Sequence, residues 1–286
     1  MPAIPTIHRR MLGAELRALR DGLGHTADEM ARRLGWHQTK VSRVENGRSG
    51  VRVHELEALL DLYGVTDPER REGLVNLARE SKGRMWWTPY SDVISERYAS
   101  YISLETAAES KRTFEMALIP GLLQTPEYTR AVIGALTPDA TPETIDALVS
   151  VRLARQNATL RRTSPLSLWA VVDEAAVRRS IGGPQVMVKQ LQRLLKASEE
   201  DNNITLQVLP FTAGGHAGLM GSFSILQFSV RSDLDVVYAE SDVSSIRLER
   251  QSDLVTYSQL FDRLREAALD EAPSRGLVSH AVKDLE

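Results

Sequence analysis

Between positions 37 and 48 the chain sets an imidazole (His37), an amide (Gln38), two hydroxyls (Thr39, Ser42) and three cations (Lys40, Arg43, Arg48) around Val41 and Val44. With Glu45 as the one carboxylate among them, the chemistry these groups suit is recognition rather than acid–base catalysis. A glutamine amide matches the major-groove edge of adenine, and an arginine fork matches guanine. Gln38 is therefore expected on adenine, Arg43 on guanine or a phosphate, and Thr39 and Ser42 on the backbone or base edges. Lys40 and Arg48 are expected on phosphates, which fix register without reading sequence. Glu45 is expected to pair with a basic neighbour and hold the motif together. The charge pattern agrees. The whole chain carries −3, but residues 1–84 carry +3 and residues 85–286 carry −6. Within residues 32–52, six bases face one acid, an electrostatic footprint suited to phosphate.

Positioning such groups requires helices. Leu12, Leu16, Leu19 and Leu23 recur at helical spacing, and Gly22 and Gly24 end that element. Thr26 with Glu29 three residues later is a capping box. The second helix then buries Ala27, Met30, Ala31 and Leu34 and stops at Gly35. A third runs from Gln38 to Glu45, with Val41 and Val44 inward and the polar face outward, closed by Asn46-Gly47. So short a rod survives only by docking on its neighbours. The fourth helix carries Leu56, Leu59, Leu60 and Tyr63. The fifth starts at Asp67-Pro68 and is expected to reach Lys82.

Two short helices joined by a glycine turn inside a helical bundle make a helix-turn-helix. The stretch "TADEMARRLGWHQTKVSRVENGR" resembles the phage-repressor-type (XRE, Cro/C1) DNA-binding domain, with matching positions Ala31, Leu34, Gly35, Gln38, Val41, Ser42, Arg43, Val44, Glu45 and Gly47. That family has Ser or Thr where His37 caps the recognition helix. Either the helix start is less rigid here, or His37 itself reaches phosphate. The resemblance implies double-stranded DNA as a partner, bound by a homodimer at a pseudo-palindromic operator.

The chain has 286 residues, length enough for two domains, and its 42% hydrophobic content is ordinary for a globular protein. It lacks cysteine, so a disulfide framework and a thiolate metal site are excluded, in keeping with a cytoplasmic location. No signal peptide is read in residues 1–12 and no apolar run is long enough to span a membrane, so no membrane partner is expected. The organisation read is a DNA-binding domain over 1–84, a linker over 85–92, a regulatory domain over 93–272 and a loosely held tail over 273–286. The fold class is α+β: a five-helix bundle followed by a mixed α/β domain.

In the second part, residues 93–118 read as helical, with Tyr101, Leu104, Ala108 and Phe114 inward. Thr125-Pro126 and Thr141-Pro142 start two more helices, the second with Arg152, Arg155, Arg161 and Arg162 as a basic stripe that reads as a solvated face ahead of a partner surface or an accessory DNA contact. Strands are expected at "LSLWAVVD", "NITLQVLP", "GSFSILQFS" and "DVVYAE". Helices are expected over 174–180, 184–197 and 254–269. The blocks "IPGLLQTPEYTR", "RLARQ", "VVDEAAVRRSIGG", "MVKQLQRLL" and "GGHAGLMGSFSILQF" are similar to the C-terminal domain of a class of actinobacterial helix-turn-helix regulators. That likeness implies a small protein partner encoded nearby, in a pair resembling a toxin–antitoxin system.

Chemistry in this part finds little support. Asp173 and Glu174 end a strand, where Asp173 suits a helix N-cap. The glycine-rich "TAGGHAGLMG" lacks the lysine of a phosphate-binding loop and reads as a mobile hairpin loop. No metal site, cofactor or nucleophile elbow is read, so no enzyme is expected. Trp86 and Trp87 of the linker are expected to pack between domains; with His216 they are the candidates for a partner or ligand surface. The domain thus receives either a protein partner or, alternatively, a small-molecule effector.

Overall fold

A computed structural model describes residues 7–81, 85–228, 234–240 and 244–286. The chain divides into two compact units, Met1–Met85 and Trp86–Glu286. The expected helix end at Lys82, positions 82–84 of the junction and Ser229 of an expected strand lie outside the described residues.

The first unit is helical: α1 (Ile7–Gly22), α2 (Ala27–Leu34), α3 (Gln38–Glu45), α4 (Val53–Leu62) and α5 (Pro68–Glu80). The caps are those expected. The Thr26 hydroxyl accepts from Glu29 N while the Glu29 carboxylate accepts from Thr26 N, satisfying two orphan donors at the start of α2. Gly35 ends that helix at φ +65°, and Asp67 with Pro68 opens α5. Met30, Val41, Val44, Leu56 and Leu60 are almost wholly buried. Leu23, expected on the stripe of α1, is exposed because the helix ends one residue before it. Gly13 carries a packing role its sequence context hides: a Cβ there would lie 2.5 Å from the carbonyl oxygens of Val44 and Glu45. Only a glycine lets α1 come this close to the end of α3.

The second unit is built on one six-stranded sheet in the order β3-β2-β1-β4-β5-β6. Its strands are β1 (Ser110–Glu115), β2 (Ser167–Asp173), β3 (Ile204–Leu209), β4 (Phe223–Gln227), β5 (Val236–Glu240) and β6 (Ser245–Leu248). β3, β2 and β1 are parallel, and β4, β5 and β6 continue antiparallel. The helices are α6 (Glu96–Ala107), α7 (Pro126–Leu136), α8 (Pro142–Leu160), α9 (Glu174–Arg178), α10 (Pro184–Glu200), α11 (Gln251–Ala267) and α12 (Glu271–Lys283). Strand alternation assigns the faces. Lys111 reaches Glu105 of α6 on one side of β1, and Arg112 reaches Ser258 of α11 on the other. Under α11 lies a core of Phe114, Val171, Phe223, Ile225, Val237, Phe261 and Leu264.

Several expectations need correction. The helix predicted over 93–118 ends at Ala107, and residues 110–115 are the sheet's central β1. "SKRTFE" looks unlike a buried strand because its inward Lys111 is charged; Glu105, fully buried on α6, neutralises it at 2.9 Å. The edge strand β6 escapes the pattern because its alternation of Ile246 and Leu248 runs over only four residues and leaves Ile246 exposed. The tail expected to be loose after Pro273 is α12, with Ser274, Val278, Ala281 and Val282 buried. Pro273 falls in its first turn, where a missing N–H costs nothing. The Ser274 hydroxyl accepts from Val208 N at 2.9 Å, tying the helix to β3. The loop of residues 212–221 is seated on the core rather than standing free. Ala213 and Ala217 pack on it, and a Cβ on Gly218 would lie 2.2 Å from the Phe114 ring.

The arginine face of α8 is likewise mostly inward. Arg155 is buried in a bidentate pair with Glu105, Arg152 donates to Gln124 at 2.5 Å, and Arg162 donates to the carbonyls of Thr106 and Ala108. Arg161 alone of the four is exposed, pairing with Asp201 at 3.2 Å.

Candidate nucleic-acid interface

The geometry of α3 follows from two valines and one glutamate. Val41, Val44 and Glu45 are buried, and their inward commitment leaves His37, Gln38, Thr39 and Arg43 exposed. Glu45 pairs with Arg20 of α1 through both oxygens, Nε to Oε1 at 2.7 Å and Nη2 to Oε2 at 2.9 Å. Arg20 also donates to the carbonyl of His25 at 2.7 Å, so one guanidinium ties α1, the turn before α2 and the end of α3 together. The sequence signals that Glu45 needs a basic partner. The partner's identity, 25 residues upstream, is a tertiary fact. Asn46 donates its side-chain amide to Ser42 O at 2.7 Å, and Gly47 completes the stop at φ +67°.

The start of α3 is capped by His37, whose Nδ1 accepts from Thr39 N at a long 3.4 Å and also meets the Thr39 hydroxyl at 2.8 Å. With Nδ1 accepting from Thr39 N, a neutral ring carries its proton on Nε2. The long contact to Thr39 N makes His37 a weak cap. The Thr39 hydroxyl is shared with this cap.

Lys40 and Arg48, both expected on phosphate, are held differently. Lys40 is half-buried, with Nζ 2.6 Å from Glu55 Oε1 and 3.8 Å above the centre of the Trp36 ring. Trp36 and Glu55 are site residues the sequence reading missed; an aromatic following a helix-ending glycine carries no distinctive signal. Burial raises the Glu55 carboxyl, but the Lys40 ammonium and the Arg52 N–H outweigh it and hold the group below its usual value. A phosphate must compete with this carboxylate for Lys40. Arg48 and Arg43 are exposed and, among the described residues, have no side-chain partner. Ser42 is half-buried beside Arg43.

The three residues expected on a partner or ligand surface separate. Trp86 and Trp87 are half-buried and meet edge to face at 5.3 Å, with the Trp86 indole donating to Thr106 of α6 at 3.2 Å. His216 is turned inward, its side chain only 9% exposed. Its Nδ1 accepts from Gly218 N at 3.2 Å and its Nε2 lies 3.6 Å from Asp173 Oδ2. Asp173 meanwhile caps α9 through Ala175 N at 2.8 Å, as its position predicts. The histidine and the carboxylate are 43 residues apart in the chain, so spacing conceals their meeting. Among the described residues, no group of three or more His, Cys, Asp or Glu side chains could hold a metal ion. Among them, too, no helix is long and apolar enough to cross a membrane.

Residues 11–73 match the model of a helix-turn-helix domain, which spans α1 to the middle of α5 and contains the whole α2–turn–α3 unit. The first unit is thus an XRE-like DNA-binding domain, and the chain has the character of a DNA-binding regulator. No curated protein and no solved structure gives a significant match. Residues 98–280, nearly the whole sheet unit, match a second model, and by that match the chain belongs to the family of the domain of unknown function DUF5753.

Proposed function

We infer that this chain is a sequence-specific transcription regulator that reads a pseudo-palindromic operator as a homodimer. The observation that carries the reading is the disposition of α3: clamped from behind by Arg20–Glu45 and the two valines, it presents Gln38 and Arg43 to solvent. Laid in the major groove, Gln38 takes an adenine edge and Arg43 a guanine edge. Arg48 and the exposed His37 take phosphates; Lys40 joins them by exchanging Glu55 for a phosphate oxygen. Thr39 and Ser42 fill the space between base edges and backbone. The sheet unit serves regulation rather than catalysis. It supplies the dimer contact and receives a small protein partner of the toxin–antitoxin kind. The likeness to actinobacterial regulators supports that role, as do the exposed apolar side chains of Phe211, Leu219 and Met220. The protein works on chromosomal DNA in the cytoplasm.

Selection of bound fragments from the host genome, followed by gel-shift titration, tests the DNA reading. The expected result is a recurrent two-fold sequence. Failure to bind any chromosomal duplex at low ionic strength overturns it. Coexpression and pull-down with the neighbouring small protein tests the partner. A second reading, regulation by a small effector, is favoured by a polar cavity beneath α11.

A further inference from the structure

Between α11 and the outer half of the sheet lies a cavity of about 280 Å³. It is small for a drug-sized ligand and sufficient for a metabolite of a few heavy atoms. Arg112 of β1 forms its floor. Strand alternation sends this side chain under α11, opposite to its neighbour Lys111, which shares the Glu105 carboxylate with Arg155 on the other face. The Arg112 guanidinium has no carboxylate within ion-pair distance among the described residues. Its Nη2 donates to Ser258 at 3.0 Å, its flat face lies 5.5 Å from the Phe261 ring, and its Nε is buried with no hydrogen-bond partner. An unmatched charged donor in such a place is costly, and an arginine fork is shaped for a planar, two-oxygen anion. Burial pulls the guanidinium below its usual value, with Asp262 and Asp235 acting against that.

The rest of the lining limits the anion. Asp262, at the rim and 4.0 Å from Arg265, and Asp235, buried and already accepting from Phe228 N at 3.0 Å and from Gln227 Nε2 at 3.4 Å, add their negative charge to the cavity that Arg112 lines. Two carboxylates repel a multiply charged phosphate but welcome an ammonium group. Gln227, Gln251 and Gln259 add uncharged donors and acceptors, and Leu254 with Ile225 adds an apolar wall. We propose that this cavity binds a small zwitterion, a free α-amino acid or a dipeptide, with its carboxylate on Arg112 and its ammonium at the rim by Asp262, in the negative field to which the hydrogen-bonded Asp235 adds.

The site is independent of α3, so its test needs no DNA. The full chain is titrated by calorimetry and thermal melting with the common L-amino acids and glycylglycine at millimolar concentration. Acetate, methylamine and inorganic phosphate serve as single-function controls. At least one zwitterion is expected to bind and raise the melting midpoint. Arg112→Gln and Val255→Trp are each expected to weaken that binding by roughly tenfold or more. Val255 lines the cavity from a half-exposed position, so its variant blocks the mouth without disturbing the core, and it decides the matter should Arg112→Gln fail to fold. The proposal is overturned if no zwitterion binds, if acetate or phosphate binds as well as the best zwitterion, or if the Val255→Trp variant binds like the parent chain. Loss of operator binding in an α3 variant leaves all these results unchanged.

Discussion

Arg43 and Lys40 stand three residues apart on one helix and face different futures. Arg43 is exposed and has no side-chain partner among the described residues, whereas Lys40 is braced between Glu55 and Trp36. Arg43→Ala should weaken operator binding by about 1–3 kcal/mol and relax base preference at one operator position, measured by gel-shift titration against single-base variants. Salt dependence separates the two proposed phosphate contacts, Arg48 and Lys40. Arg48→Ala should lower the slope of log K against log salt by about one unit. Lys40→Ala should lower it by less, because the ammonium gives up its Glu55 pair to meet a phosphate. Equal slopes for the two variants would show that the Glu55 pair imposes no cost. Residue types sufficed to nominate these groups. Their availability depends on partners from α4 and the α2–α3 turn, which residue type does not reveal.

The elements hold together through buried charge as well as apolar packing. Glu45 and Arg20 are both nearly buried, so removing one leaves the other unpaired in a poorly solvated place. Glu45→Gln should destabilise the first unit by about 3–5 kcal/mol, read by chemical denaturation, and should weaken DNA binding through the position of α3. The second unit repeats the device with Glu105, Lys111 and Arg155. Burial alone raises the Glu105 carboxyl; Arg155 and Lys111 reverse the sign and hold it well below the usual carboxylate range. A carboxyl depressed on folding stabilises the protein above its unfolded value of 4.5, and that contribution fades as pH falls below it. The melting midpoint of the sheet unit should therefore drop on acidification below that value. Glu105→Gln should flatten the drop while lowering stability at neutral pH by about 3–5 kcal/mol. β1 was hard to read for the same reason: a strand whose buried face carries Lys111 imitates a polar helix until its counter-charge on α6 is known. α12 was hidden by a convention, since Pro273 reads as a terminator although a proline in the first turn starts a helix as readily.

For the whole molecule, the proposed dimeric binding implies a measurable spacing. Two α3 helices related by a two-fold axis reach successive major grooves only when the half-sites lie about 10–10.5 base pairs apart, or a multiple of that. Inserting half a helical turn between the half-sites should abolish tight binding and inserting a full turn should largely restore it, as read by gel shift. Equal affinity for all three spacings would mean that single copies bind. The sequence by itself determined the five helices of the first unit, their caps, the exposed face of α3 and most strands of the sheet. Each of these rests on short-range rules of periodicity and capping that need no distant partner. Only the tertiary structure decided that Lys40 meets Glu55, that Glu45 meets Arg20, that Asp173 meets His216, and that Arg112 lies beneath α11 on Ser258, with no carboxylate at ion-pair distance among the described residues. Those facts depend on segments far apart in the chain being packed side by side, and no local pattern of residues encodes the identity of a remote neighbour.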